Sequence, residues 1–300
     1  MEIPFARWHP AIVERHSRRR FEPRPVEPGV LARLAGVCDG FRPYEEARAV
    51  LVTRPADEVL RGVVGSYGQV KGAPAYAALV GRTDSPYAHE RVGYTGEAVV
   101  LEATSLGLGT CWVGGFFRPE VAARLLGVAA GERVMAVIPL GYPGPRSREE
   151  SIMSGFVRSH RRKPLAELVA GGAPGAAGDL ARWPAWVRAA LEAARLAPSA
   201  MNRQPWRFAV SAELPAARRP AGLDSPVGAD RPAGAGPAGD EGPVWTITVY
   251  VTGWRDTGGI SRRLDCGIAM LHLEVAALAH GVRGSWEPLP PPGVARFWPR

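Results

Sequence analysis

Apolar positions recur at helical spacing over 27–37 (Leu31, Leu34, Val37) and over 93–106 (Val99, Val100, Ala103, Leu106). Residues 10–19 and 119–126 read as two further helices. Compact apolar runs at 47–53 and 75–81 predict strands, and RVMAVIPLGYP (133–143) predicts a buried strand ending in a turn. GLGTCWVGGF (107–116) is a glycine-rich turn leading into an extended segment. Further on, residues 183–196 read as a helix, 206–211 as a strand and 244–252 (VWTITVYVT) as a strongly alternating strand. A long helix over 260–280 follows and ends in GVRGSW.

The second set of elements repeats part of the order of the first. Gly93 to Trp112 and Gly267 to Trp286 share the pattern glycine, long apolar helix, glycine, tryptophan, at a constant offset of 174 residues. The expected division is therefore a first half, 1–170, a flexible linker GGAPGAAG, 171–178, and a second half, 179–300. Residues 213–243, rich in Ala, Pro and Gly and without an aromatic, read as a disordered insertion. The proline-rich stretch 288–293 reads as extended chain.

Composition narrows the function classes. The formal charge is +8, but only two of the 37 basic residues are lysines (Lys71 and Lys163) and the arginines are scattered, so no nucleic-acid partner is expected. The most apolar stretch, 268–282, is interrupted by His272, Glu274 and His280, so no membrane span is expected, and the amino terminus lacks a signal-peptide pattern. Cys38, Cys111 and Cys266 are odd in number and without a CxxC pair, which reads as reduced cysteines in a cytoplasmic protein. The six histidines show no metal-ligand spacing, and His272, on an apolar helix, reads as a hydrogen-bonded core residue. No GxSxG or Walker A motif occurs, and Glu97 and Glu102 have no evident carboxylate partner for acid–base work.

Two motifs carry candidate chemistry. RHSRRRF (15–21) packs arginine forks and a hydroxyl into a few residues, a donor set suited to phosphate, although a solvated basic helix face has the same composition. APSAMNRQPWRF (197–208) ends a helix at Pro198, offers Ser199 and Asn202 on a short turn, and starts a strand at Pro205. An ordinary helix-to-strand loop is the alternative. The four glycines of 107–116 permit close backbone approach, either to a ligand or to a packed helix. The basic run 158–163 is a second anion candidate or a charged connector.

Together these residues resemble the FMN-dependent nitroreductase superfamily, and within it the branch with two half-units fused in one chain. The resemblance implies an α+β fold, a nitroreductase-like three-layer α/β/α sandwich duplicated as an intrachain pseudo-dimer. It assigns Arg15, His16, Ser17 and Arg19 to the FMN phosphate and ribityl chain, and Arg162 to closing on the phosphate. It assigns Pro198, Ser199 and Asn202 to the isoalloxazine and the backbone of Gly114 and Gly115 to flavin N5. Ser66 and Gln69 fall near the positions expected to contact the pyrimidine ring. The flavin would carry the chemistry, taking hydride from NAD(P)H and passing it to a small-molecule acceptor such as a nitroaromatic or quinone. A non-catalytic flavin-binding protein of the same descent is the alternative. The first half has CDGFRP (38–43) where a PSxxN turn belongs, and the second half has LARWPAWV (180–187) and no RxSxR. The resemblance therefore implies one FMN per chain and a monomer.

Overall fold

The central strands of the first sheet are buried on both faces. Strand β1 (Ala47–Val52) pairs antiparallel with β2 (Ala75–Arg82), which pairs antiparallel with β4 (Glu132–Gly141), and the short β3 (Gly109–Thr110) closes the order β1-β2-β4-β3. On β2, Ala77 and Leu79 face the main core, while Tyr76, Ala78 and Val80 face a second apolar cluster. Helices α3 (Asp57–Leu60) and α5 (Pro119–Leu126) supply Val59, Leu60 and Ala122 to that cluster. Helix α4 (Ala88–Ser105) and helix α2 (Pro28–Gly40) pack on the core side, so the layers here are α/β/α. The computed structural model describes residues 1–60, 70–145, 161–169, 182–213, 243–253, 256 and 258–300. The linker 171–178, Ser66, Gln69 and nearly all of the 213–243 insertion lie outside them.

The second sheet has the same strand order. Strands β5 (Trp206–Glu213), β6 (Val244–Val251), β8 (Gly293–Pro299) and β7 (Gly284–Pro288) are antiparallel neighbours in that sequence. Each sheet also carries a register shift between its second and fourth strands, at Leu79/Val80 and at Val249/Tyr250. Helix α8 (Arg262–Ala279) stands between β6 and β7 as α4 stands between β2 and β3, and each of its bounds falls 174 residues after the matching bound of α4. The fold is thus internally duplicated, and among the described residues the halves differ after the long helix: β7 and β8 form a hairpin where α5 separates β3 from β4.

Two expectations need correction. The proline-rich stretch 288–293 is the turn of the β7–β8 hairpin, tied by Leu289 N–H to Val294 O at 3.0 Å. Prolines need no ladder partners in a turn, and β8 is built by pairing with β6 rather than by local propensity. The first helix, α1, runs over Phe5–Glu14 and not 10–19. Its first turn is fixed by the wholly buried Trp8, whose Nε1 donates to Glu102 Oε2 at 2.7 Å, so Pro10 falls inside the helix. Glu102 also takes Arg7 Nε at 2.8 Å.

The two halves meet where α4 crosses α8. A Cβ added at Gly93 would lie 2.0 Å from Leu264 O, and one added at Gly267 would lie 1.9 Å from Glu90 O. Residues 93 and 267, and 90 and 264, are each related by the 174-residue offset, so the crossing has the reciprocal contacts of a two-fold interface. Polar pairs span it. Glu90 binds Arg263 through Oε2–Nε at 2.9 Å and Oε1–Nη2 at 2.6 Å, and Tyr94 OH donates to Glu274 Oε2 at 2.6 Å.

Glu274 also accepts from Trp286 Nε1 at 2.7 Å. Burial raises its carboxyl above the usual range, against the lowering effect of those two hydrogen bonds. A raised folded pKa favours the protonated acid, so this group's contribution is fully present below the unfolded pKa and is lost as pH rises through the folded one. Glu274→Gln keeps an oxygen for Tyr94 and Trp286 without the titrating charge. It is expected to raise stability at pH 8 by about 1 kcal/mol, with the gain shrinking toward pH 4. Denaturant melts of both proteins at the two pH values check this, and an equal difference at both would refute it.

Candidate functional site

Helix α1 ends at Glu14, and Arg15, still bonded through its N–H to Ala11 O at 2.9 Å, turns into extended backbone (φ −61°, ψ 123°). Ser17 then pairs with Thr110, Arg20 with Lys71 and Phe21 with Pro143, with Arg18 N–H donating to Thr110 O at 2.7 Å. RHSRRRF is therefore an extended ribbon along the first sheet and not a helical face. Extended chain puts positions i, i+2 and i+4 on one side, which is the spacing of Arg15, Ser17 and Arg19. His16 and Ser17 are exposed and Arg19 is half-buried; His16 Nδ1 lies 2.7 Å from Glu14 O.

Arg15 itself points inward. Its side chain is 6% exposed, and its Nε lies 3.9 Å from Glu97 Oε1 and has no hydrogen-bond partner. Burial lowers its pKa, opposed by Glu97 and then Cys111. Glu97, on α4, is held from two sides. Trp112 Nε1 donates to Oε2 at 2.7 Å, and His272 Nε2, on α8, faces Oε1 at 2.9 Å. His272 Nδ1 faces Ala193 O at 3.1 Å, so this histidine is the hydrogen-bonded core residue expected from sequence.

The second motif follows helix α7 (Ala185–Arg195), preceded in the chain by the short α6 (Leu165–Leu168). Pro198 is buried and Ser199 opens a tight turn, accepting from Gln204 N–H on Oγ at 2.9 Å and from Asn202 N–H on its carbonyl at 3.0 Å. Met201, Asn202 and Gln204 all have positive φ (53°, 52° and 45°). Each such non-glycine residue costs about 1 kcal/mol or more, so the surroundings must hold the shape. Asp265 does so from α8, accepting Ala200 N–H at 3.1 Å and Arg203 Nε at 2.6 Å. Burial pushes the Asp265 carboxyl up to about 6 although Arg203 pulls it down. Gln204 is tied to the segment before α6, where its Oε1 accepts Lys163 N–H at 2.8 Å and its Nε2 donates to Arg161 O at 3.1 Å.

That segment carries Arg162. Its Nη1 donates to Asn202 Oδ1 at 2.9 Å and its Nη2 to Leu196 O at 3.3 Å, while Asn202 Nδ2 donates to Arg161 O at 2.9 Å. The Arg162 pKa is pushed down to about 10 by burial first, then by the positive charges of Arg15 and Arg195. Arg15 and Arg162 are thus brought together although 147 positions separate them in the sequence. Two partly desolvated guanidinium groups sharing one region favour an anion between them. The chain beyond Arg162 continues onto the second sheet, where Val169 bridges Phe208.

Gly114 and Gly115 stand where the halves touch. A Cβ on Gly115 would lie 2.7 Å from Gly258 O, and one on Gly114 would lie 3.2 Å from the Ile260 side chain. Ile260 O in turn accepts from Arg203 Nη2 at 2.9 Å, so one loop of the second half joins the glycine segment to the turn. Of the site residues expected from sequence, Ser66 and Gln69 lie outside the described residues; among the others, Arg15, Arg162, Ser199 and Asn202 converge. Sequence reasoning missed Asp265, Arg203 and Gln204 as the anchors of the turn. Arg203 and Gln204 lie inside the quoted motif, whereas Asp265 is 62 residues from Arg203 and carries no local signal.

The chain shares its fold with a "putative nitroreductase" of known structure from Thermotoga maritima, at 18% identity and a TM-score of 0.54, over 97% of this chain and 93% of that one. A nitroreductase with bound FMN from Bacteroides fragilis matches 46% of this chain and 88% of its own at 19% identity and a TM-score of 0.38. No curated protein matches the sequence. The family model described as "Putative TM nitroreductase" matches residues 8–277, nearly the whole chain, and the protein belongs to that family.

Proposed function

We propose that this nitroreductase-family protein is an FMN-dependent oxidoreductase with one composite flavin site per chain, moving hydride from NAD(P)H to a nitroaromatic, quinone or similar small-molecule acceptor. The observation that carries this reading is the meeting of Arg15 and Arg162 with the Asn202 turn, since it joins the two motifs that the resemblance assigns to one flavin. In this reading residues 1–170 and 179–300 are the two half-units, and the monomer acts in the cytoplasm with its three buried cysteines reduced.

The residues present fit an anionic flavin nucleotide. The orphaned, buried Arg15 Nε and Arg162, which feels its charge, offer charge-assisted donors suited to phosphate, with the exposed Ser17 and half-buried Arg19 on the same ribbon. Pro198, Ser199 and Asn202 would lie against the ring system on a turn whose shape Asp265 and Gln204 impose. Backbone at Gly114 and Gly115 would offer main-chain N–H groups to it. When bound, the flavin supplies the redox chemistry, accepting hydride at N5 from NAD(P)H and reducing the acceptor. The protein's part is binding, orientation and a positive field for the reduced, anionic ring.

The test is a visible spectrum. The purified protein is expected to be yellow, to hold one FMN per chain after saturation, and to bleach on addition of NAD(P)H. A colourless protein that fails to take up FMN would rule the reading out. Bound FMN without NAD(P)H oxidation would favour the non-catalytic alternative, and two flavins per chain would refute the composite site.

A further inference from the structure

We propose that Asp265 is a positioning residue for hydride transfer. Through Ala200 and Arg203 it holds the strained turn, and through Arg203 and Ile260 it fixes that turn against the Gly114–Gly115 segment of the other half. The inference rests on the flavin reading above, which sets both segments against one ring system.

The links are short and buried. Asp265 Oδ1 accepts from Ala200 N–H at 3.1 Å, and Oδ2 accepts from Arg203 Nε at 2.6 Å. Arg203 then donates from Nη2 to Ile260 O at 2.9 Å. The Ile260 side chain lies against the two glycines, 3.2 Å from a Cβ built on Gly114 and 3.1 Å from one built on Gly115. A branched side chain packed so closely transmits any shift of its own backbone to them. The Asp265 and Arg203 side chains are only 2% and 9% exposed. One carboxylate on α8 thus reaches both segments.

Stability alone does not account for this arrangement. A buried ion pair is often no more stabilising than apolar side chains of similar size, and what it supplies instead is a fixed geometry. Arg203 Nη1 is buried and has no hydrogen-bond partner among the described residues, which costs stability. Met201, Asn202 and Gln204 are also the only non-glycine residues with positive φ among those described.

The first half shows the same element without the pair. Strands β1 and β5 begin 159 positions apart, at Ala47 and Trp206, so Tyr44 stands where Arg203 does. Arg91 stands 174 positions before Asp265. There the Arg91 guanidinium lies 5.2 Å from the centre of the Tyr44 ring, and Arg91 also binds Glu46. The turn between α2 and β1 has no residue at positive φ. Strain is confined to the copy that carries the Asp265–Arg203 pair, and that copy is the one the flavin reading sets against the ring.

Asp265→Asn tests the proposal. The amide keeps the shape but has one oxygen, so it cannot accept from Ala200 N–H and Arg203 Nε on separate oxygens. Stopped-flow bleaching of FMN-saturated parent and variant, with saturating NADH or NADPH, reads the step after binding. The variant is expected to be about tenfold slower, because small misplacements of reacting groups lower the rate, and the visible circular dichroism of its bound FMN should change. A merely structural residue would lower the melting temperature and leave the rate of the FMN-saturated protein unchanged. That result overturns the proposal with the flavin site standing. A parent that takes up no FMN, or binds it without bleaching, overturns both. Should the variant fail to fold, Arg203→Lys keeps a cation beside Asp265 but loses the fork that joins Asp265 to Ile260 O. It is expected to slow bleaching about threefold, and the parental rate with unchanged dichroism overturns the proposal.

Discussion

Gly267→Ala is expected to destabilise the protein by about 3 kcal/mol, and Gly93→Ala by a similar amount. In each case the added methyl would sit within 2.0 Å of a backbone oxygen on the facing helix, and a backbone cannot step aside as a flexible side chain can. Relief requires moving α4 and α8 apart, which opens the most densely shared layer of the core and breaks the Glu90–Arg263 and Glu97–His272 contacts nearby. Gly36→Ala in α2 is the control. Nothing lies within 4 Å of its added Cβ, and it should gain up to about 1 kcal/mol from helix propensity. Denaturant unfolding of the three variants reads the contrast directly. If Gly267→Ala were as harmless as Gly36→Ala, the helix crossing would not be the tight joint described.

Arg15→Leu is expected to weaken FMN binding about 100-fold, on the scale of hydrogen bonds to charged groups. The loss has two parts. The donor itself disappears, and the positive charge that favours an anion there goes with it. Apolar bulk at position 15 keeps contact with the surrounding core, so circular dichroism should change little while the dissociation constant rises. FMN fluorescence titration measures the effect, and an unchanged constant would remove Arg15 from the site.

Much of the fold was legible because periodicity survives tertiary packing. The alternation in VWTITVYVT and the long apolar helices at 93–106 and 260–280 are all present as elements, and the 174-residue offset recurs in the bounds of α4 and α8. The failures share a cause. RHSRRRF looks helical in isolation, yet its backbone is claimed by Thr110, Lys71 and Pro143, partners far away in sequence. Strand β8 follows a run of prolines and exists through pairing with β6 and β7. At the site, polar types drew attention to the two motifs, but the side chains that hold them in place come from elsewhere. Asp265 and Glu97 belong to helices whose pattern announces only core, and nothing local shows that one steadies a strained turn and the other backs an arginine.

The polar pairs across the helix crossing also decide which halves can meet. Were α4 to cross a second α4 in the same geometry, Glu90 would face His89 in place of Arg263, and Tyr94 would face Val100 in place of Glu274. Were α8 to cross a second α8, Arg263 would face Leu264 and the half-buried Glu274 would face Ile268. The α8 pairing would leave Arg263 and Glu274 against apolar side chains, and the α4 pairing would leave Tyr94 OH without its carboxylate, each at a cost in stability. Each helix carries the partners that the other lacks, so the core itself favours the pairing of first half with second over like with like.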